Sequence, residues 1–167
     1  KTTRTAQGSL IHNVLSMSQD EKVQAIIDTR DYETEKFLLI MTEKGTVKKS
    51  AFKDFDSNYK SLQAIKLKEE DKVVSVKTTS GMEDVILVSR KGQAIRFDEN
   101  NLKPQGRTAM GVRGIKLREG DKVVGAATSR DETLLFVTAK GYGKRTNLDE
   151  FRKAGRGGMG VKALKVT

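Results

Sequence analysis

Lys36-Phe37-Leu38-Leu39-Ile40-Met41-Thr42-Glu43-Lys44-Gly45 returns twice further along the chain, as Asp84-Val85-Ile86-Leu87-Val88-Ser89-Arg90-Lys91-Gly92 and as Thr133-Leu134-Leu135-Phe136-Val137-Thr138-Ala139-Lys140-Gly141. Each copy is a short apolar run, one or two polar residues, and Lys-Gly. A second short run follows each glycine: Thr46-Val47-Lys48-Lys49, Gln93-Ala94-Ile95-Arg96 and Tyr142-Gly143-Lys144-Arg145. The apolar runs lack helical spacing and are rich in β-branched residues, so they read as strands. Glycine at the junction tolerates the positive φ that a tight turn demands. The reading is one β-hairpin repeated three times, with turn glycines 47 and 49 residues apart. Phe55, Leu102 and Phe151 recur at one place after the hairpins, as expected of plugs between repeats.

A second block recurs between the hairpins. Leu62-Gln63-Ala64-Ile65-Lys66-Leu67 with Asp71-Lys72-Val73-Val74 matches Val112-Arg113-Gly114-Ile115-Lys116-Leu117 with Asp121-Lys122-Val123-Val124. The alternation of Ile65/Leu67 and Ile115/Leu117 with lysine predicts a half-buried strand. A looser copy runs from Arg4-Thr5-Ala6-Gln7-Gly8 to Glu21-Lys22-Val23, and Arg156 to Leu164 begins it once more. Four-stranded units of about this period define propeller blades. The expected fold is therefore all-β and propeller-like, one repeat domain over 1–167, with approximate repeats at 1–34 (partial), 35–83, 84–131 and 132–167 (partial). Three to four blades leave open sheet edges, which implies a section of a longer array.

The 167 residues are 36% hydrophobic and 32% charged, with no cysteine, one histidine and a formal net charge of +10. Lack of cysteine excludes disulfides and thiolate chemistry and fits a reducing, cytoplasmic setting. No apolar run is long enough to cross a membrane, and no charged-then-apolar leader is evident. The positive charge points to an anionic partner, nucleic acid first. It is uneven: residues 1–34 carry a net −1 and residues 132–167 a net +5. Gly155-Arg156-Gly157-Gly158-Met159-Gly160 meets the spacing of a dinucleotide-binding loop but lies between no strand and helix, so it reads as a flexible basic loop able to approach phosphates. His12 alone cannot supply a metal site. Glu69-Glu70-Asp71, Asp98-Glu99 and Asp149-Glu150 read as solvated turns. No nucleophile–base pair, catalytic residue or metal ligand emerges, and no cofactor is expected in this segment.

The cations are placed more regularly. Lys44, Lys91 and Lys140 share one repeat position, and Lys49, Arg96 and Arg145 another. Arg4, Arg107 and Arg156 each precede a small-residue turn. In a blade array equivalent positions lie on one rim, so these side chains are expected to form a basic stripe, with Lys49, Arg96 and Arg145 as equivalent clamps on successive blades. No recognition helix exists to enter a major groove, and aromatic residues are only 5% of the chain, too few for a base-stacking platform. The remaining mode is contact with the phosphates of double-stranded DNA, which positions the duplex without reading its sequence. The competing reading is a propeller-like scaffold whose charged rim docks an acidic protein.

Val137-Thr138-Ala139-Lys140-Gly141-Tyr142-Gly143-Lys144-Arg145-Thr146, Glu150-Phe151-Arg152 and Gly155 to Lys162 resemble the C-terminal domains of bacterial DNA gyrase A subunits. Gly106-Arg107-Thr108-Ala109-Met110-Gly111-Val112-Arg113-Gly114-Ile115 matches nearly as well. The resemblance implies a β-pinwheel, usually of six blades, with DNA wrapped around a basic perimeter so that strand passage elsewhere introduces negative supercoils. It implies as partners the remaining domains and subunits of a heterotetrameric type II topoisomerase, which carry the ATP and Mg chemistry. Arg113, Lys144, Arg152 and Lys162 on these strings, with Lys48 on the second run of the first hairpin, complete the candidate DNA-binding set. The family's basic box, usually Gln-Arg-Arg-Gly-Gly-Lys-Gly, is absent, and Met159 stands where lysine is common in the nearest similar loop. The related C-terminal domain of topoisomerase IV is the alternative; the regular period favours gyrase.

Overall fold

The computed structural model describes residues 4–13, 15, 17–18, 20–31, 33–130 and 132–165. The regular structure of those residues is ten strands and four one-turn 3-10 segments. Three hairpins fall where the Lys-Gly repeats predict them: β1 (Phe37–Thr42) with β2 (Thr46–Ala51), β4 (Asp84–Ser89) with β5 (Gln93–Asp98), and β8 (Thr133–Val137) with β9 (Gly143–Asn147). Gly45, Gly92 and Gly141 all turn the chain at φ +82°, a conformation that a side chain would strain. A 3-10 turn follows each hairpin, at Phe52–Phe55, Glu99–Asn101 and Leu148–Glu150.

A blade is not one contiguous repeat. The first sheet has the order β3-β1-β2-β6 and the second β10-β5-β4-β7. β3 (Val73–Thr79) and β7 (Val123–Thr128) come from the same repeat as their hairpins, whereas β6 (Val112–Arg113) and β10 (Val161–Lys162) come from the next. Every one of these strand pairs is antiparallel. The third hairpin forms a two-stranded sheet. The half-buried strands expected through Leu67 and Leu117 do not form: residues 61–68 lie in no strand, and of the second copy only Val112–Arg113 pairs, as Val161–Lys162 does in the next. Beyond them the chain is caught on the hairpin turn. Gly114 and Ile115 N–H donate to the Gly45 carbonyl, and Ala163 and Leu164 N–H to that of Gly92. This ends the ladder while keeping Ile115 buried and Lys116 exposed.

Glycine also governs the entry to each outer strand. Gly111 and Gly160 adopt φ +83° and +73°, and a Cβ there would lie 2.8 Å from the Val47 carbonyl oxygen and 2.3 Å from that of Ala94. The recurrent Met-Gly-Val string is thus a tight approach of one repeat to the previous hairpin.

The core lies between blades. Leu39, Met41 and Val47 of the first hairpin meet Val85, Leu87, Ile95, Phe97 and Leu102 of the second repeat, together with Ile115 and Val123. The next junction holds Ala94, Phe136, Phe151 and Ala163. A third cluster on the N-terminal side of the first blade contains Leu38, Ile40 and Phe52, with Phe55 packed against it. Phe55, Leu102 and Phe151 therefore plug successive cores, as their spacing predicts.

Candidate nucleic-acid interface

The outer edge of the array follows from the packing of its strands. β3 and β7 lie against each other across the blade junction, so the opposite edges, β6 and β10, face outward. The loops leading into those strands follow the same edge: Gln105 N–H donates to the Lys49 carbonyl at 2.8 Å, and Ala154 N–H to the Arg96 carbonyl at 2.9 Å. Arg113 on β6, Lys162 on β10 and Arg152 on the incoming loop are exposed. Arg107 and Arg156, one repeat apart, each bond a carbonyl of the repeat before, Asp54 and Asn101 respectively, both at 3.1 Å. Arg156 also donates to the Arg113 carbonyl at 3.2 Å, so these two arginines are neighbours. Lys66 and Lys116 lie exposed on the segments that continue from the outer-strand positions. The Ile-Lys-Leu alternation carried that signal, but it marked them only as the solvent face of a strand. Arg4 is exposed in the N-terminal segment.

The hairpin tips carry Lys44, Lys91 and Lys140, all exposed. Lys44 Nζ donates to the Glu69 carbonyl and Lys91 Nζ to the Glu119 carbonyl, each at 2.7 Å. Beneath the first two tips sits a repeated aspartate. Asp71 accepts from Thr42 Oγ1 (2.7 Å) and from the N–H of Lys44 and Lys72. Asp121 accepts from Ser89 Oγ (2.6 Å) and from the N–H of Lys91 and Lys122. Burial pushes the Asp121 carboxyl upward, but these donors outweigh it and hold the group below its ordinary pKa. The reading of Glu69-Glu70-Asp71 as a solvated turn is corrected at Asp71, which is buried and organises the hairpin tip.

Lys49, Arg96 and Arg145 do share one register, opposite Leu39, Ile86 and Leu135, but they do not share exposure. Lys49 is 3% exposed and pairs at 2.9 Å with Glu99, which is fully buried. Its ammonium also stands 4.0 Å from the centre of the Phe37 ring. Arg96 pairs with Asp84 at 2.7 Å and donates to the carbonyls of Leu148 and Phe151 in the following 3-10 turn. Asp84 is held below its ordinary pKa: burial raises it, and bonds from Lys153 and Arg96 more than compensate. Arg145 is exposed, as is Lys144. Lys48, 1% exposed, donates at 2.6 Å to the carbonyls of Ala64 and Arg107. Burial lowers its pKa, with Asp54 opposing. The expectation of one exposed row of clamps is therefore corrected. Lys48, Lys49 and Arg96 fasten one repeat to its neighbours: Lys48 and Lys49 are buried, and Arg96 is left 12% exposed.

Gly155–Gly160 is likewise part of the architecture. Gly157 N–H donates to the Gly114 carbonyl and the Gly158 carbonyl accepts from Lys116 N–H. The expected flexible loop is instead bonded to the preceding outer segment, with Arg156 left at the surface. Among the described residues, no group of three His, Asp or Glu could hold a metal ion, and no helix is long and apolar enough to cross a membrane. The His12 side chain lies outside the described residues.

Hairpins joined by strands borrowed from the next repeat, with apolar cores between the sheets, define a propeller-like repeat domain. The model of the family described as "DNA gyrase C-terminal domain, beta-propeller" matches residues 36–80, 83–130 and 132–167. The chain belongs to that family. It is 42% identical over 138 residues to the DNA gyrase A protein of Staphylococcus aureus (strain NCTC 8325 / PS 47), covering 79% of this chain and 16% of that protein. Among solved structures, a C-terminal domain of DNA topoisomerase IV superposes with a TM-score of 0.85 at 36% identity, over 93% of this chain and 49% of the other. A DNA gyrase A C-terminal domain superposes with a TM-score of 0.83 at 29% identity, over 96% and 55%. The chain thus spans about a sixth of the gyrase protein it matches and about half of each solved domain.

Proposed function

We propose that this chain binds duplex DNA through its phosphates and bends it around the outer edge of the blades, as a non-catalytic part of a DNA gyrase. The observation that carries the reading is the outer edge itself: Arg107, Arg113, Arg152, Arg156 and Lys162 recur on or beside the borrowed strands, and all but the half-buried Arg107 are exposed. Contacts of this kind neutralise phosphates and are indifferent to sequence. Wrapping would set the crossing of the duplex for strand passage by the remaining domains and subunits of the type II topoisomerase. Those parts, in the cytoplasm, would supply ATP hydrolysis and Mg-dependent cleavage; this segment needs no cofactor.

Membership in the gyrase family supports this context, and the similarity to a topoisomerase IV domain keeps that enzyme as the second reading. Bending 20–30 bp by 40–90° costs on the order of 1–6 kcal/mol, which is recovered only when several blades hold the DNA together. Affinity should therefore rise with duplex length until the edge is filled. A 15-bp duplex that binds as tightly as one several times longer would rule out wrapping. Supercoil counts after ligation of nicked circles on the protein separate a gyrase-like from a weaker, topoisomerase IV-like wrap. A scaffold for an acidic protein would leave DNA unbound.

A further inference from the structure

Met110 and Met159 occupy one repeat position on the outer edge, and both stay in contact with solvent, at 40% and 43% exposure. The repeats on either side of Met110 are both described, so its exposure belongs to its place in the fold. A single apolar side chain at a surface needs no explanation; two in register, each set among cations, do. Arg107 and Arg113 lie three residues before and after Met110, and Arg156 and Lys162 three before and after Met159. A third cation stands beside each. Lys66 N–H donates to the Ala109 carbonyl at 3.1 Å and Lys116 N–H to the Gly158 carbonyl at 2.8 Å, and these carbonyls immediately precede the two methionines.

The backbone of both is held from two sides. The carbonyl before each methionine is bonded to the preceding outer segment. The glycine after it, Gly111 or Gly160, turns at positive φ against the hairpin behind, where a Cβ has no room. Val112 and Val161 then enter the paired outer strands. A side chain displayed on so fixed a backbone loses little further freedom on binding. The earlier copies place Gln7 and Lys60 at this position, both exposed. All four copies therefore present a long unbranched side chain here.

We propose that Met110 and Met159 lie against deoxyribose rings of the bound duplex, between phosphates held by the cations on either side; this rests on the outer edge binding phosphates. A DNA strand alternates anionic phosphates with sugars whose C–H faces are apolar. An edge that runs cation, methionine, cation matches that alternation, and the flexible, polarizable thioether conforms to such faces. The cations supply affinity that falls with salt, through release of counterions. The methionines add a part that salt leaves alone, because covering apolar surface neutralises no phosphate. Sugars recur at every nucleotide, so the contact holds the duplex without reading its sequence.

Titration of the 167-residue chain with a long duplex of random sequence, across a salt series, tests the inference. Met110→Gln with Met159→Gln follows the precedent of Gln7. It should weaken binding at every salt concentration by about fourfold for each methionine, the equivalent of one buried methylene, with the slope of log affinity against log salt unchanged. Met110→Leu with Met159→Leu keeps the place apolar and should retain most of the affinity. Met110→Lys with Met159→Lys follows Lys60 and should steepen the slope by about 0.9 for each lysine, since a cation there meets phosphate. Circular dichroism and thermal melting should be the same in all three, because both side chains are exposed. Undiminished affinity in the Gln variant overturns the sugar contact while the phosphate-binding edge stands. A Gln variant with a shallower slope also overturns it, since the loss would then be of phosphate contacts. A lysine variant with the original slope removes the place from the interface. An unsubstituted chain that binds no duplex at all overturns the phosphate-binding edge itself, and the sugar contact with it.

Discussion

Replacing Lys49 by Met removes the cation from a pair that is almost wholly enclosed, 3% exposed on one side and 0% on the other. Glu99 keeps bonds from Thr79 Oγ1 at 2.8 Å and from Glu83 N–H at 2.9 Å, but its charge loses its counter-ion inside a blade junction. Breaking a buried pair by deleting one partner costs about 3–5 kcal/mol, whereas replacing both by apolar groups is often near neutral. The repeat supplies its own precedent, because the Glu99 place is held by Phe52 and Leu148 in the other two turns. Lys49→Met should therefore lower stability by about 3–5 kcal/mol, a shift of roughly 2–3 M in the urea midpoint for a slope near 1.5 kcal/mol per M. Lys49→Met with Glu99→Leu should recover most of it. DNA affinity of the folded single variant should keep its salt dependence. A loss below about 1 kcal/mol, or a salt slope shallower by about one phosphate, would refute the assignment of Lys49 to the junction.

Gly160→Ala should destabilise the second blade by several kcal/mol in thermal melts, since the new Cβ would sit 2.3 Å from the Ala94 carbonyl oxygen at φ +73°. Gly106→Ala, in open space, should cost under about 1 kcal/mol. Acid should unfold the chain through its fastened carboxylates. Burial raises the pKa of Glu83, but bonds from Ser80 and Arg130 outweigh it and bring it down to about 2, and Asp84 and Asp121 are also depressed. Depressed folded values mean stability that is present above the unfolded values of about 4. It is lost as pH falls through the folded ones, so a urea midpoint that is flat between roughly pH 4 and pH 2 would contradict these contacts.

The hairpins were legible because their signal is local: an apolar run, a lysine and a glycine that must turn at positive φ. The plugs Phe55, Leu102 and Phe151 were legible because repetition places equivalent residues in equivalent cores. Exposure was not. Lys49 and Arg145 look alike in the sequence, and what separates them is whether a following repeat packs over them. The same gap hid Asp71, whose partners Thr42 and Lys44 lie 27–29 residues away. The origin of the fourth strand was hidden too, because the block beginning at Val112 reads as continuous with its own repeat while its first two residues pair with the one before. Sequence repetition reports position; burial depends on neighbours that the repeat unit does not contain.

In the proposed complex the exposed outer edge, and not Lys48, Lys49 or Arg96, meets the phosphates. Arg113, Arg156 and Lys162 should be replaced together by Gln and duplex affinity titrated across a salt series. Each lost phosphate contact should shallow the slope of log affinity against log salt by about 0.9, and the three together by roughly 2.7. The loss should be equal for duplexes of unrelated sequence. An unchanged slope would remove the outer edge from the interface, and a loss confined to one sequence would mean that these side chains read bases.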